Sequence, residues 1–441
     1  MRKINPVRSS QSKIGAEMSK TFRTSNGVKE KAHRLLRWSE KYFKTDMVYL
    51  AHGGFWLTLG QIFSALISLG LSIAYANLLT QQTFGTYKYI LSAYGIISLF
   101  VIPGLSSAVT RSVSRGFEGS IKEGFKKKIK WGTIAGIASF LISIYYLLNN
   151  NLILSIGFLT IGLFLPLMES FGLYSSFLEG KKLFKERVLY EIGLNLIFAA
   201  AILLTIFLTK NLFIILAVYF ISNITGRIIF YFLTVKKFKT NNLADEEMDS
   251  YGRSLSFFQI VSNASQYLDK ILLFTMLGAP QVAIFTFASA LPDRIKYLFR
   301  FTGTISFPKF AGRPAEEIKK NLPKKLLLLG LIISFAIVAY ILAAPLIFKY
   351  IFPQYKSAVF LSQIISLTSI YAITYPIGSY LSAHKKVREL FMISGSSFLL
   401  GLICLLVFIP FYGIWGAVIG AAANRLTIIT TSFYFLKKIK D

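Results

Sequence analysis

Residues 131–178 read WGTIAGIASFLISIYYLL-NNN-LILSIGFLTIGLFLPLMESFGLYSSFL, two long apolar runs parted only by Asn149, Asn150 and Asn151. Each run matches the roughly 20 residues an α-helix needs to cross the hydrocarbon core of a bilayer. Three residues allow only a tight reversal, so the stretch predicts an antiparallel pair of spanning helices. Its flanks give the orientation. Lys126, Lys127, Lys128 and Lys130 precede it and Lys181, Lys182 and Lys185 follow it, whereas the turn carries no Lys or Arg. Basic residues gather on the cytoplasmic side, which places both outer ends of this pair inside.

The same reading extends along the whole chain of 441 residues. Twelve apolar runs occur, at 55–80, 84–109, 131–148, 152–178, 188–208, 212–235, 254–277, 281–307, 326–348, 357–381, 390–411 and 413–436. Hydrophobic residues make up 54% and the mean hydropathy is +0.57, more than the core of a soluble domain requires. Period-2 alternation is absent, which excludes an outer-membrane barrel. The expected fold is all-α: a polytopic membrane protein of about twelve transmembrane helices in two pseudo-symmetric six-helix bundles.

A net charge of +29 invites a nucleic-acid reading, but its placement argues against one. With the first loop external, the external loops hold only Lys210, Lys349 and Lys356, while the cytoplasmic segments hold 39 of the 49 Lys and Arg. Both termini are therefore expected in the cytoplasm, in the inner cell membrane, with the basic excess facing anionic lipid headgroups. No nucleic-acid partner is expected.

Four segments follow. Residues 1–54 form a basic cytoplasmic tail: 1–27 are polar and expected disordered, and 28–47 space Leu35, Leu36, Tyr42, Phe43 and Met47 as a cationic amphipathic helix on the inner leaflet. Residues 55–235 form the first bundle, 236–253 a cytoplasmic linker with an acidic cluster (Asp245, Glu246, Glu247, Asp249), and 254–441 the second bundle. A shift of 198 residues lays Gln61-Ile62 on Gln259-Ile260, Tyr87 on Phe285 and Arg115 on Arg313. This echo is faint, but the matching topology of the halves supports a parallel repeat with a cavity between two bundles.

Charges inside the apolar runs are where function is expected, because each costs roughly 2.5–3.5 kcal/mol on insertion scales and faces a cavity or a partner. Glu169, Arg227, Asp269, Lys270, Asp293, Arg294 and Arg425 lie deepest, Lys296 is intermediate, and Lys88 can snorkel to the outer end of its helix. Asp293, Lys296 and Arg300 share one helix face, as do Asn223 and Arg227. The expected site is a water-filled cationic cavity of Arg227, Arg294, Arg425, Lys270, Lys296 and Lys88 that receives an anionic group, since the guanidinium fork suits phosphate. Glu169, Asp269 and Asp293 are candidates for coupling a proton or sodium ion or for gating. The competing reading is that these charges pair between helices and only fix packing. Pro103-Gly104, Pro166, Pro292, Pro308 and Pro376 mark expected breaks, with a kink beside Asp293.

Several chemistries lack their residues. The closest run to a phosphate-binding loop, Gly119 to Phe125, has no Lys followed by Ser or Thr after its second glycine. His33, His52 and His384 are scattered, so no metal site is expected, and Cys404 is the single cysteine. No cofactor is expected. The N-terminal tail lacks a signal-peptide pattern, so insertion is expected to rely on the spanning helices. External loops are too short for a catalytic domain, which argues against an enzyme, including a glycan polymerase or ligase.

Local motifs add a resemblance. Tyr75-Ala76-Asn77-Leu78-Leu79, Phe84-Gly85-Thr86-Tyr87 and Gly104-Leu105-Ser106-Ser107-Ala108-Val109-Thr110-Arg111 resemble the opening of the polysaccharide-unit (O-antigen and exopolysaccharide) flippases. These belong to the multidrug/oligosaccharidyl-lipid/polysaccharide exporter superfamily. Tyr267-Leu268-Asp269-Lys270, Phe352-Pro353-Gln354-Tyr355 and Pro410-Phe411-Tyr412-Gly413-Ile414-Trp415-Gly416 extend the likeness over residues 55–438. Ala383-His384-Lys385 replaces a Gly-Lys common in that family, and the basic tail is longer than usual. The resemblance implies alternating access and a polyprenyl-(pyro)phosphate-linked oligosaccharide substrate. It implies membrane lipids and glycosyltransferases or a polymerase of one pathway as partners, with a monomeric carrier. The alternative is an ion-coupled multidrug or small-molecule antiporter of the same superfamily.

Overall fold

The computed structural model describes residues 47–238, 240–311 and 315–438. The expectations for residues 1–46 fall outside them. The described residues are helical throughout, without strands. The first half contains α1 (Met47–Leu78), α2 (Gln81–Ser98), α3 (Gly104–Ser114), α4 (Ser120–Leu148), α5 (Leu152–Phe171), α6 (Leu173–Gly180), α7 (Phe184–Leu208) and α8 (Leu212–Lys237). The second contains α9 (Met248–Leu277), α10 (Ala279–Ala311), α11 (Ala315–Tyr350), α12 (Val359–Leu367), α13 (Tyr375–Ala383), α14 (Val387–Tyr412) and α15 (Ile414–Lys438). Short 3-10 segments, Pro353–Ala358 and Thr368–Thr374, flank α12.

The turns explain the asparagines. Asn151 caps α5 by accepting from the Leu154 amide at 3.1 Å, and Asn211 caps α8 by accepting from Phe213 at 2.9 Å. Asn150 takes φ +57°, a left-handed conformation that asparagine tolerates better than most residues. Between α9 and α10 the chain reverses at Gly278, with φ +88°, where a side chain would be strained. The α4–α5 pair closes tightly because Gly136 and Gly162 each face the other's carbonyl, leaving no room for a Cβ. Small residues on facing helices permit this approach in membranes.

Two of the runs marked by proline are broken. The run 84–109 divides between α2 and α3, where Ile102 adopts φ +47°, a costly conformation for a β-branched residue. The run 357–381 passes through the 3-10 segment Thr368–Thr374. Pro292, by contrast, lies within an uninterrupted α10.

Among the described residues, eight helical stretches are long and apolar enough to cross a membrane. The other four expected spans, 84–109, 254–277, 281–307 and 413–436, carry Lys88, Asp269 with Lys270, the α10 charges and Arg425. Three of them, 84–109, 254–277 and 281–307, pack on one another at the centre. α9 packs along α2, α3 and α14, and α10 packs against α2, α12 and α13. A helix shielded from lipid by its neighbours does not need a wholly apolar surface.

The halves close against each other at the face of the short turns. Phe84 stacks on Phe287 with centroids 4.7 Å apart, and Phe287 meets Tyr355 at 4.2 Å. Asn77 donates to the Ile351 carbonyl at 3.0 Å and Gln81 to Gln354 at 3.0 Å. A Cβ on Gly85 would collide with the Ala279 carbonyl. One flank is sealed along its length: Gly95 faces the Tyr267 ring and the Gly104 amide donates to Ser256 Oγ. The other flank is looser. α1 runs along α7 of its own half, and among the described residues its one side-chain bond to α10 is Arg294 to Ser68. Beyond that bond toward the basic face, Phe63 and Leu66 on α1 and Leu298 and Phe301 on α10 are exposed.

The segment expected as a linker is fastened down. Asp245 accepts from Ser112 at 2.8 Å and pairs with Arg115 at 3.3 Å. Lys127 pairs with Asp249 at 3.1 Å, and the Asn241 carboxamide accepts the Glu118 and Gly119 amides. Its acidic cluster thus neutralises part of the basic loops of the first half.

Candidate functional site

Five of the expected cations converge from four helices. Lys88 on α2 lies within electrostatic reach of Lys270 on α9 and Arg294 on α10. Lys296, two residues further along α10, feels Arg425 on α15 and Lys270. Helical spacing places Asp293 and Lys296 on one face, and they form an ion pair. Arg425 approaches the same carboxylate oxygen at 3.5 Å and donates to Thr368 in the broken segment between α12 and α13. Lys270 pairs with Asp269 at 3.1 Å.

The balance is what matters chemically. Five cations, Lys88, Lys270, Arg294, Lys296 and Arg425, face two carboxylates, Asp269 and Asp293. Among the described residues no carboxylate forms an ion pair with Lys88 or Arg294. Arg294 contacts a hydroxyl instead, and Lys88 lies 5.4 Å from the centre of the Phe84 ring. A cation–π contact supplies only part of a charge partner. Aromatic rings shape the rest: Tyr371 stands 5.7 Å from Lys296 and 5.8 Å from Arg425. Such a group binds an anion by charge and by forked hydrogen bonds.

Arg227 stands apart from these five. It donates to the Met168 carbonyl at 2.6 Å, beside Glu169, which accepts from Lys128 at 3.0 Å and from the Tyr94 hydroxyl at 3.1 Å. Lys128 is 3% exposed. This network joins α2, α4, α5 and α8 inside the first half. Arg227 also borders a cavity of about 340 Å³ lined by Tyr174, Ser175, Glu191, Asn195 and Asn223. All three candidate carboxylates, Glu169, Asp269 and Asp293, therefore carry cationic partners, Glu169 and Asp293 across helices and Asp269 only from its neighbour Lys270 on the same helix, while the central group retains cations in excess.

Lys128 and Tyr371 were not singled out by sequence. Lys128 hides in a basic run that reads as a loop anchor. Its signal was position: it shares a helical face with Gly124, Gly132, Ala135 and Ser139, all buried. Tyr371 lies in an apolar run whose break the composition does not reveal. Among the described residues no group of three His, Cys, Asp or Glu could hold a metal ion.

Comparisons with known proteins agree with this architecture. The lipid II flippase MurJ in an inward closed conformation superposes with a TM-score of 0.66 at 15% identity, over 87% of each chain. A multidrug resistance MATE family transporter of the MOP superfamily, inward-facing, gives 0.64 at 13% identity, over 86% of this chain and 96% of the other. The eukaryotic MATE transporter AtDTX14 gives 0.61 at 11% identity, over 90% of this chain and 97% of the other. At these identities the likeness is one of fold. No curated protein sequence matches the chain. The family model described as polysaccharide biosynthesis protein matches residues 50–312, more than half of the sequence. With its motifs, fold and family model in agreement, the chain belongs to the polysaccharide biosynthesis protein family.

Proposed function

We propose that the protein is a flippase for polyprenyl-(pyro)phosphate-linked oligosaccharides, acting by alternating access in the cytoplasmic membrane during surface polysaccharide synthesis. The observation that carries this reading is the central excess of cations, with Lys88 and Arg294 lacking carboxylate partners. A phosphate headgroup supplies the missing charge. An antiporter of cationic drugs would be served by the opposite excess. The loose flank between α1 and α10 suits the prenyl chain, which stays in lipid while the headgroup enters. The closed turn face and the exposed residues toward the basic face correspond to a state open toward the side where the substrate is made. Rocking of residues 55–235 against 254–441 exchanges that opening for its opposite. Arg227, with Glu169 and Lys128, is assigned to holding the first half rigid and to gating rather than to the headgroup. The protein is a carrier, working as a monomer beside the glycosyltransferases that build its substrate.

Proteoliposomes loaded with a fluorescent polyprenyl-diphosphate-linked sugar test the proposal. The protein should accelerate loss of the label to a membrane-impermeant quencher or glycosidase added outside. Export of cationic dyes with no movement of the glycolipid would favour the antiporter instead.

A further inference from the structure

A second cavity lies in the other half and shares a wall with the cationic group. It measures about 530 Å³ and is an open pocket bordered by α10, the broken helix around Thr368–Thr374, α13, α14 and α15. Tyr371 is the shared wall: it lines this cavity and also stands against Lys296 and Arg425. Tyr375 follows one turn later, its ring 5.7 Å from that of Tyr371 and its hydroxyl 3.1 Å from the other. The cavity extends from there toward the basic face, where Ser382 precedes the turn at His384.

Its polar groups are unspent. Most serines and threonines of these helices return their hydroxyl to a carbonyl one turn back, as Ser289, Thr427 and Ser396 do. Thr304, Ser382 and Ser394 do not. Among the described residues their hydroxyls have no hydrogen-bond partner in the protein, and the Arg300 guanidinium has neither a hydrogen bond nor a carboxylate. All four line the cavity, with Arg300, Thr304 and Ser382 exposed on its wall and Ser394 half-buried. Without protein partners, these donors are open to water or to a ligand that fills the cavity. A 3-10 interruption within a helix adds to the case, since such breaks often mark functional positions.

We infer that this cavity holds the saccharide of the transported lipid, with the Tyr371 and Tyr375 rings against the sugar faces and Thr304, Ser382, Ser394 and Arg300 bonded to its hydroxyl or acidic oxygens. The chemistry suits a pyranose, which offers apolar C–H faces and a rim of hydroxyls. The size suits a small glycan rather than a prenyl chain. The diphosphate sits at the central cations, and the sugar reaches past Tyr371 into the second half. This inference rests on the flippase reading and extends it by giving the glycan its own subsite.

The test compares two probes with the full chain in nanodiscs: undecaprenyl diphosphate without sugar, and the lipid-linked oligosaccharide pool extracted from cells that make this protein. Ser394→Trp fills the cavity, and Thr304→Val removes one hydroxyl at nearly constant shape. Ser394→Trp should weaken the glycosylated pool about tenfold or more and Thr304→Val about threefold. Neither should shift the sugar-free diphosphate, whose unchanged binding also shows that the variants are folded. Equal losses for both probes, or no loss for the pool, would overturn the glycan subsite while leaving the flippase reading intact. Binding of neither probe by the unmodified protein would overturn both.

Discussion

The ion pair between Lys128 and Glu169 makes a prediction with an asymmetry. Lys128 is 3% exposed and Glu169 is 21% exposed, 3.0 Å apart. Their remaining partners differ. Glu169 also accepts from Tyr94 at 3.1 Å and feels the charge of Arg227. Lys128 has only Glu169. Breaking a buried pair by removing one member costs about 3–5 kcal/mol, because the survivor stays charged and unpaired. Glu169→Leu leaves the ammonium with nothing and should reach that full cost. Lys128→Met leaves a carboxylate with two partners and should cost about 1–3 kcal/mol. Combining them removes the stranded ammonium, so Lys128→Met/Glu169→Leu should be more stable than Glu169→Leu alone, with a coupling of about 2 kcal/mol. Denaturation of the four proteins in one detergent, read by tryptophan fluorescence, measures the cycle. Additive losses, or a double variant less stable than Glu169→Leu, would refute the assignment of Lys128 as a partner dedicated to Glu169.

Other predictions concern the closed face and the fastened segment. Gly85→Val should be incompatible with closure against Ala279 and lower the melting temperature, whereas Gly54→Ala, with open space around it, should not. Cysteines replacing Asn77 and Gln354, in a Cys404→Ser background, should halt glycolipid movement when joined by a short cleavable cross-linker and release it on cleavage. Normal transport in the joined protein would contradict the assigned motion. Phe287→Ala removes a ring that is 1% exposed and should destabilise by about 3–5 kcal/mol, read by the same denaturation assay. Asp245→Asn should raise protease cleavage within residues 240–247, with a modest stability loss of about 1–2 kcal/mol.

Much of this architecture was legible in the sequence because lipid imposes a simple rule on composition. The pair 131–178 reads directly as α4 followed by α5 and α6, its asparagines as a turn and a cap. The convergence of Lys88, Lys270, Arg294, Lys296 and Arg425 was expected as a class, since charges in apolar runs must find water or partners. Other features depend on tertiary packing. Lys88 had a plausible escape to the membrane surface, and only the arrangement of α2 against α9 and α10 turns it toward the other cations. Arg227 was grouped with Arg294 and Arg425 by depth, yet depth does not specify azimuth, and its helix directs it to Met168 within the first half. The breaks at Ile102 and Thr368–Thr374 lie in runs as apolar as their neighbours. Proline marked the vicinity of both, but Pro292 shows that proline alone does not end a helix.

The central cations are tested most directly by the affinity of the purified protein in nanodiscs for undecaprenyl diphosphate, measured against Lys88→Gln, Arg294→Gln and their combination. If these two side chains supply the missing charge partners of the headgroup, each single change should weaken binding about tenfold and added salt should weaken the unmodified protein more than the double variant. Unchanged affinity in the double variant, with the same salt dependence as the unmodified protein, would contradict the account.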